Sequence, residues 1–492
     1  MKNSIFVLLL FWVFTLQVKA TEYLVGTKTD FENALKKVNP GDIIIWKEGN
    51  YSDIKIDFTP LLNGTSEKPI FLKAQKAGKV KFSGNSQLFI GGDYLVVQGF
   101  LFEGNCTLET NQNVIDFKSK VKKTNNEANH CRLTNCAIIN YSSTEESDKK
   151  NYYVNLIGTY NEVDNCTFEG KLNAGPTLVI EYKQENGYVP GSAVAPSSFH
   201  HIHHNYFGYR TFSSNGGEQI RVGTSTTSFS HGFNLVEYNY FEDERIEAEI
   251  ISNKSWDNIY RFNTFYGNDG AMVIRHGQKC FVYGNYINGK SGRNRSGGIR
   301  IINPNNTVFN NYIENIEGGK GNSKFPISIM DGLVDSPLNG YYPADNAIVA
   351  YNTVVNSYGP AIKLGVVNKD VKTPKIAPKN VIVVGNTIIN SIGDNDSPFE
   401  LNDNNATFTI KDNFFTNGKT TEPGFSSIKL KQIPFNIKFY EVKTKIDSTV
   451  SDEINQRLSI HNIKLNDSEI TIFNPNWILK KKDVGVSWIK KK

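Results

Sequence analysis

Cysteines, long apolar runs and excess charge are all scarce in this sequence of 492 residues, and each scarcity excludes a class of protein. The five cysteines are too few and too scattered for a disulfide scaffold. Beyond the first twenty residues, no segment is long and apolar enough to cross a bilayer. The formal net charge of +5 is small, whereas nucleic-acid-binding proteins concentrate basic residues. No nucleic-acid partner and no membrane span are therefore predicted.

The first twenty residues have the composition of an export signal. Lys2 gives a positive start, an apolar run covers residues 5–16, and residues 18–20 read VKA, a small-residue cleavage pattern. We therefore predict a signal peptide over residues 1–20 that is cleaved near Ala20. The mature protein is expected to be periplasmic or extracellular.

A short element of the form apolar-x-Asn-x-aromatic or aliphatic recurs along the chain. It occurs at Asn135, Asn165, Asn205, Asn239, Asn263, Asn285, Asn311, Asn352, Asn386 and Asn413. The tightest spacings in this series are 24, 22 and 26 residues, and the longer gaps leave room for inserted loops. Each asparagine is predicted to occupy a left-handed turn position and to hydrogen-bond to the asparagine of the next repeat.

A second series of short β-rich runs lies between the asparagines. These runs begin at Glu218, Ala248, Ala271, Gly297, Pro326 and Pro360. Two interleaved strand series with one period predict an all-β solenoid, a right-handed parallel β-helix whose coils stack about 4.8 Å apart. Residues 29–38 predict a short amphipathic helix that caps its N-terminal end. The predicted catalytic β-helix covers 21–430, and 431–492 are predicted to form late coils and a C-terminal cap.

Cysteines and histidines within the repeats are assigned to the structure and not to chemistry. Cys106, Cys136 and Cys166 each follow an asparagine, as small buried residues stacked in a core would. One disulfide that involves Cys131 stays open in an oxidising compartment. The histidines of HHIHHN (200–205) superficially resemble a metal cluster, but they belong to one of the asparagine repeats. A structural or surface role is therefore predicted for them.

The segment EAEIISNKS departs from ordinary strand chemistry. Its Glu247 and Glu249 would point to the same side of a strand. Two like charges at this spacing are unfavourable unless a cation lies between them or water solvates that face. Asn215, whose amide oxygen suits calcium, precedes them by one repeat, and Arg275 and His276 follow them by one repeat. Charged and polar groups from three coils are thus predicted to converge on one side.

Four segments in this region resemble polysaccharide lyase family 6, which contains alginate lyases and the dermatan-sulfate-cleaving chondroitinase B type. The segments are NGGEQIRVG (215–223), EAEIISNKS (247–255), VIRHG (273–277) and GGIRII (297–302). A looser resemblance covers nearly the whole mature chain. The resemblance implies a Ca²⁺ site at Asn215, Glu247 and Glu249. It also implies Lys254 as the catalytic base and Arg275 as its partner acid.

Three further residues are candidates for substrate binding. The resemblance places His276 near the substrate, and a structural role is the alternative. Arg221 and Arg300 stand in similar IRV and IRI strands. They either pair with the acidic residues or bind uronate carboxylates in a groove.

The implied reaction explains these residue types. Lys254 must be neutral to remove the proton at carbon 5 of a uronate, and an ordinary lysine has a pKa of about 10.4. We therefore expect Ca²⁺ and Arg275 to lower the pKa of Lys254. A bound Ca²⁺ would neutralise the carboxylate of the sugar and stabilise the charge that develops on it.

The prediction is a secreted, monomeric lyase that binds an acidic polysaccharide and cleaves a 4-linked uronate polymer by calcium-assisted β-elimination. Alginate is the favoured substrate, and dermatan sulfate is the alternative. A non-catalytic carbohydrate-binding β-helix is a further alternative. A glycoside hydrolase is less favoured, because Glu247 and Glu249 lie on one strand and would not flank a scissile bond.

Overall fold

Three long parallel sheets, here named A, B and C, dominate the fold. They are seen in a computed structural model of the protein. It describes residues 20–120, 127–182, 197–211, 216–245, 247–319, 324–336, 341–366, 373–389, 397–416, 420, 423–427 and 446–489.

Sheet A and sheet B run side by side along the whole length of the fold. In order of pairing, the strands of sheet A are Glu22–Val25, Ile43–Trp46, Ile70–Ala74, Leu95–Gln98, Arg132–Thr134, Glu162–Asp164, His201–His203, Leu235–Glu237, Ile259–Arg261, Phe281–Tyr283, Thr307–Phe309, Ile348–Ala350, Val381–Val384 and Phe408–Lys411. Those of sheet B are Gly49–Ser52, Val80–Ser83, Leu101–Asn105, Ala137–Ser142, Thr167–Glu169, Tyr206–Phe207, Tyr240–Glu242, Thr264–Tyr266, Tyr286–Asn288, Tyr312–Glu314, Thr353–Val355, Thr387–Ile389, Asn413–Phe415 and Phe425–Ser427.

Sheet C contains the segments that carry the predicted site. Its strands are Lys55–Phe58, Gln87–Ile90, Ile115–Asp116, Val154–Leu156, Leu178–Ile180, Ile220–Val222, Glu249–Asn253, Ala271–Ile274, Ile299–Ile301, Ile327–Met330, Ile362–Val366 and Phe399–Leu401. Shorter strands also pair outside the three sheets: Gly92–Asp93 with Ala128–Asn129 and Gly158–Thr159, and Gly332–Leu333 with Lys375–Ile376.

Successive strands of the chain belong to different sheets, and this confirms the predicted parallel β-helix. Glu249–Asn253 lies in sheet C, Ile259–Arg261 in sheet A and Thr264–Tyr266 in sheet B. Each pairs in parallel with the equivalent strand of the next coil. The inward side chains are mostly Ile, Val, Leu and Phe, and they form one continuous buried core. Burial of each such side chain contributes about 1.5–3 kcal/mol relative to exposure.

An asparagine ladder runs through this core, as the repeats predict. From Asn205 to Asn386, the backbone N–H of each ladder asparagine donates to the side-chain oxygen of the asparagine one coil on, and Asn413 is the last acceptor. The side-chain amide of each also donates to that same oxygen, at 2.9 to 3.1 Å. The side-chain oxygens of the ladder asparagines thus accept hydrogen bonds from backbone N–H groups that the turn leaves unpaired.

Two details of the predicted ladder are wrong. The backbone N–H of Cys166 donates to Asn205 Oδ1, so Cys166 and not Asn165 occupies the ladder position of that coil. Asn135 and Asn165 stand one residue earlier, where φ is +51°. The left-handed turn residue is therefore the one before each ladder asparagine, as at His204 and Tyr238 with φ of +53° and +52°. The short apolar-x-Asn pattern fits an asparagine at the ladder position and an asparagine one residue before it. Only the strand pairing distinguishes the two positions.

All five cysteines are buried and free, as expected of small core residues. Burial raises the pKa of the thiols of Cys131, Cys136 and Cys280 to about 12. These thiols are therefore protonated and unreactive at neutral pH.

Helices lie at the two ends of the chain. The first, α1, spans Lys28–Leu35, so it starts one residue before the predicted segment 29–38 and ends three residues before its end, and Thr27 is its N-cap. Its Phe31 packs against Trp46 of the first coils, with ring centroids 5.6 Å apart. Near the C-terminus, α2 spans Ser448–Leu458 and α3 spans Asp467–Thr471. Short 3₁₀ turns cover Ser225–Thr227, Ser459–His461, Pro475–Trp477 and Lys481–Asp483.

The C-terminal segment (446–489) runs back along the outside of the β-helix. It begins near late coils, where the Tyr351 hydroxyl receives a hydrogen bond from the Asp447 N–H. It ends beside early coils, where the Trp488 indole donates to Asn135 Oδ1 at 3.0 Å. The predicted boundary between 430 and 431 lies outside the described residues. Among the helices of the described residues, none is long and apolar enough to span a membrane.

Candidate functional site

The outer face of sheet C brings together side chains from successive coils. Parallel pairing places Arg221 beside Ser252, Ser252 beside Val273, and Val273 beside Arg300. These four positions all point outward, because their neighbours on each strand are core residues. Arg221 and Arg300 therefore lie on the coils on either side of those that carry Ser252 and Val273, in the same register along the strands.

Lys254 and Arg275 follow the ends of two adjacent strands. The backbone N–H of Lys254 donates to Val222 O, and that of Arg275 donates to Asn253 O, both at 2.7 Å. The two residues thus occupy equivalent positions on neighbouring coils, which stack about 4.8 Å apart. The predicted base and its partner are brought together.

Glu249 connects this pair to Arg300. Its Oε1 accepts a hydrogen bond from an Arg300 terminal nitrogen at 2.7 Å and lies 3.6 Å from Arg275 Nε. All three side chains are more than three-quarters buried. Of the two alternatives for Arg300, pairing with the acidic cluster is therefore the one present in the structure.

Two more glutamates complete an acidic cluster beside Glu249. The Glu247 carboxylate accepts hydrogen bonds from the backbone N–H groups of Gly217 (2.9 Å) and Ala248 (2.7 Å). Glu218 is 4% exposed, and its Oε2 has no hydrogen-bond partner among the described residues. Burial raises the pKa of the Glu218 carboxyl. An unsatisfied buried carboxylate is costly, so this oxygen suits a ligand that the protein binds.

This donor set fits a hard divalent cation. Carboxylate oxygens are the ligands that Ca²⁺ prefers. Gly216 has a φ of +102°, and a side chain there would begin 3.8 Å from Glu218 Oε2, so glycine leaves room beside that oxygen. Glu247 and Glu249 are the predicted ligands in this cluster. The third predicted ligand, Asn215, lies outside the described residues.

Burial lowers the pKa of Lys254, and it is the largest influence on that group. Arg221 and Arg275 lower it further, whereas Glu218 and Glu249 oppose them. The direction agrees with the sequence analysis, but the main cause is burial and not the neighbouring cations. Among the described residues, none donates to or accepts from the Lys254 amine, and none forms an ion pair with it.

Aromatic rings support two of the arginines. The Arg275 guanidinium lies over the ring of Tyr341, 4.2 Å from its centroid. The Arg221 guanidinium lies 5.5 Å from the ring centroid of Tyr152 and donates to its hydroxyl at 3.1 Å. Such contacts orient a guanidinium without neutralising its charge. Arg221 thus contacts a tyrosine and not the acidic cluster, and its Nε has no partner among the described residues.

His276 is placed below the surface of the candidate site. His276 is 2% exposed, and its Nε2 lies 3.5 Å from Ser225 Oγ. The 3₁₀ turn Ser225–Thr227 covers this side of the strand ends. The predicted roles of His276, in substrate binding or in structure, both stay predictions.

Glu218 and Tyr341 are the two residues that sequence reasoning missed. Glu218 stands in the quoted segment NGGEQIRVG, but it lies three residues before Arg221, so alternation along a strand would place it on the opposite face. Gln219 N donates to Ile250 O, which puts Glu218 next to Glu249 on the adjacent coil. Tyr341 lies 66 residues after Arg275, outside the repeats, and no sequence signal connects the two.

A family model described as Chondroitinase B matches residues 25–461. The chain is 30% identical to AlyGC, described as a PL6 family alginate lyase, with a TM-score of 0.78 over 96% of this chain and 59% of that one. A "mannuronic acid specific polysaccharide family 6 lyase enzyme from human gut microbiota" is 26% identical, with a TM-score of 0.72 over 95% and 97% of the two chains.

A third similar structure supports the fold alone. It is described as a PL6 family polysaccharide lyase from Pseudopedobacter saltans, and it is 24% identical, with a TM-score of 0.69 over 95% of this chain and 99% of that one. The chain spans only 59% of the length of AlyGC. Among curated protein sequences, none matches the chain significantly.

Proposed function

Because the chain belongs to polysaccharide lyase family 6, the family that the chondroitinase B model describes, we propose that it cleaves a 4-linked uronate polymer by β-elimination. Alginate is the favoured substrate, and the products are oligosaccharides with an unsaturated end. The export signal of the first twenty residues supports a periplasmic or extracellular site of action.

The observation that carries this proposal is the adjacency of Lys254 and Arg275 beside an acidic cluster. A base with a lowered pKa and a fixed cation stand on neighbouring coils, and both face the outer side of sheet C. An elimination needs these two groups: one removes a proton, and the other stabilises the leaving oxygen. A hydrolase has no use for a lysine base in this place.

Calcium is the proposed cofactor of the acidic cluster. Glu247 and Glu249 would hold the ion, and the unpartnered Oε2 of Glu218 supports a cation here. When bound, Ca²⁺ supplies Lewis-acid chemistry at the sugar carboxylate. Its charge would also balance the cluster, which in the structure is partly neutralised by Arg300 and Arg275.

Lys254 performs the proton transfer in this mechanism. The neutral amine takes the proton from carbon 5, the electrons of that bond form the double bond between carbons 4 and 5, and the bond from carbon 4 to the glycosidic oxygen breaks. Arg275, oriented by Tyr341, stabilises the negative charge that develops on the leaving oxygen. A guanidinium keeps its proton at neutral pH, so Arg275 contributes its charge, water supplies the proton that the leaving oxygen takes up, and the Lys254 ammonium returns its proton to solvent.

The charge balance of the face favours alginate over dermatan sulfate. Alginate carries carboxylates only, whereas sulfates need additional arginines in a groove. The arginines of the described outer face of sheet C already contact protein groups: Arg221 contacts Tyr152, Arg275 contacts Tyr341, and Arg300 contacts Glu249. The similar structures described as alginate lyases support the same choice.

An ultraviolet absorbance assay tests the proposal directly. The purified chain should release unsaturated product from alginate, and a chelator should abolish the signal until Ca²⁺ is restored. Poly-mannuronate, poly-guluronate and dermatan sulfate complete the panel, because product from dermatan sulfate alone would reverse the choice of substrate. Binding without any product would identify a carbohydrate-binding protein, and saturated ends would identify a hydrolase.

The pH profile should report the lowered pKa of Lys254. Only the neutral amine accepts a proton, so activity should rise as pH increases through that pKa and level off above it. The midpoint should lie below about 10.4, the value of an ordinary lysine. In Arg221→Gln, a cation that lowers this pKa is lost, so the midpoint should move to higher pH. Measurement of kcat against pH for both proteins checks this, and a shift to lower pH would contradict it.

A further inference from the structure

A second cluster of polar side chains lies on the outer face of sheet A, away from sheet C. His201 and His203 alternate on one strand, so both side chains point outward. Strand pairing places Glu162 directly beside His201 on the preceding coil. Glu162, His201 and His203 each offer a ligand atom, and these atoms lie within 4.8 Å of one another. Among the described residues, no other group of three His, Cys, Asp or Glu side chains meets that distance.

Both imidazoles contact neighbouring side chains that hold them in place. Their ring centroids are 3.9 Å apart. His203 Nε2 lies 2.8 Å from Glu162 Oε1, and His201 Nε2 lies 2.9 Å from Glu237 Oε1 on the next coil. The side chains are 13% (His203), 32% (Glu162) and 38% (His201) exposed. The cluster is therefore preformed and still reachable from solvent.

His204 contacts the ring nitrogen of His203 that does not face Glu162. Nδ1 of His203 lies 2.8 Å from Nδ1 of His204, which requires one proton between them. With a metal bound, the proton between the two Nδ1 atoms would belong to His203, and Nε2 of His203 would be the ligand atom. Histidine ligands of metals commonly donate their second N–H to such an acceptor.

The charged side chains around the cluster include one more carboxylate than arginine, which favours a bound cation. Three carboxylates, those of Glu162, Asp164 and Glu237, face two arginines. Arg132 binds Asp164 through two 2.7 Å hydrogen bonds, and Arg261 binds Glu237 at 2.6 Å. Glu162 lies 3.4 Å from Arg132 Nε, a weaker contact that it can exchange for a metal. One negative charge in excess then remains next to the two imidazoles.

We propose that Glu162, His201 and His203 bind a divalent transition metal of the zinc class. Two imidazole nitrogens and one carboxylate are typical of zinc, and nitrogen donors disfavour Ca²⁺. The metal replaces the proton that His203 shares with Glu162, and that proton leaves to solvent. Because Glu162 and His201 stand on adjacent coils, the ion joins those coils. The site is independent of the proposed lyase activity.

Zinc binding to the full chain tests this site. Equilibrium dialysis with Zn²⁺ should give one ion per chain, and millimolar Ca²⁺ should not displace it. His201→Gln and His203→Gln should each lower the zinc affinity about tenfold or more. Co²⁺ as a spectroscopic probe should show visible absorption bands in the unmodified protein that are lost in both variants. Circular dichroism verifies that the variants are folded.

His231→Gln is the matched control. His231 also pairs with a carboxylate, that of Asp257, and it is similarly exposed, but it lies outside the cluster. The His231→Gln variant should therefore bind zinc with the affinity of the unmodified protein. If folded His201→Gln and His203→Gln bound zinc as tightly as the unmodified protein, the proposal would be overturned. It would also be overturned if His231→Gln lowered the zinc affinity as much as the two cluster variants. Displacement of zinc by Ca²⁺ would overturn the assignment of metal class.

Discussion

Lys254→Met should reduce the rate of product formation about 10²- to 10⁴-fold, the usual contribution of a general base. Methionine keeps an unbranched chain of similar length, so the half-buried position stays filled. The amine is surrounded by charged groups yet has no hydrogen-bond partner among the described residues, so its loss leaves no donor or acceptor of the protein unpaired. The fold should therefore survive, and the absorbance assay on alginate measures the loss.

Lys254→Arg separates a base from a mere positive charge. Arginine preserves the charge but is not deprotonated in proteins, so it cannot accept the proton from carbon 5. It should be nearly as inactive as the methionine variant. Substantial activity in Lys254→Arg would show that the lysine acts by its charge, and the assignment as base would be wrong. Lys81→Met is the matched control, because Lys81 is an exposed lysine of sheet B that pairs with Glu103.

Asn285→Ala should destabilise the protein by about 3–5 kcal/mol, because several buried hydrogen bonds are lost together. Asn285 is 1% exposed. Its side-chain oxygen accepts from the backbone and amide nitrogens of Asn263. Its own amide donates to Tyr260 O, Tyr283 O and Asn311 Oδ1. Alanine leaves the two Asn263 nitrogens without this acceptor and removes the donor to Tyr260 O, and each buried group left unsatisfied costs about 1–3 kcal/mol.

Urea denaturation, followed by circular dichroism, measures this loss as a lower midpoint. Asn50→Ala is the matched control, because Asn50 is exposed on a strand of sheet B. Its effect should stay within about 0.5 kcal/mol. A midpoint for Asn285→Ala that equals that of Asn50→Ala would contradict the stabilising role of the ladder.

The sequence predicts the β-helix well because stacking repeats the same physical demand at every coil. A turn that needs a side-chain amide needs it again one coil later, and this produces the asparagine series. The exact position within the turn is less well specified. Asn135 and Asn165 fit the short pattern as well as Asn205 does, yet they stand one residue earlier in the structure.

The candidate site was predictable where its residues belong to strands and unpredictable where they do not. Lys254 and Arg275 occur at equivalent points of successive repeats, so their convergence follows from the period. Tyr341 reaches Arg275 from outside the repeats, and no pattern indicates that contact.

The proposed zinc site could not be predicted from the sequence for a related reason. His201 and His203 are visible in the sequence, but Glu162 stands some forty residues earlier. It becomes a neighbour only through strand pairing between coils. Once that pairing is known, the two histidines have a carboxylate neighbour.

The backward path of the C-terminal segment changes how the whole solenoid should unfold. In a simple repeat array each coil contacts only its neighbours, so unfolding can begin at either end and spread. Here Val486 N–H donates to Thr167 Oγ1, and Asn310 donates to the backbone oxygens of Glu469 and Ile472. These contacts join residues up to 353 positions apart, as between Trp488 and Asn135. Early and late coils are thereby coupled, so the array should lose its structure more cooperatively than its repeats alone would allow.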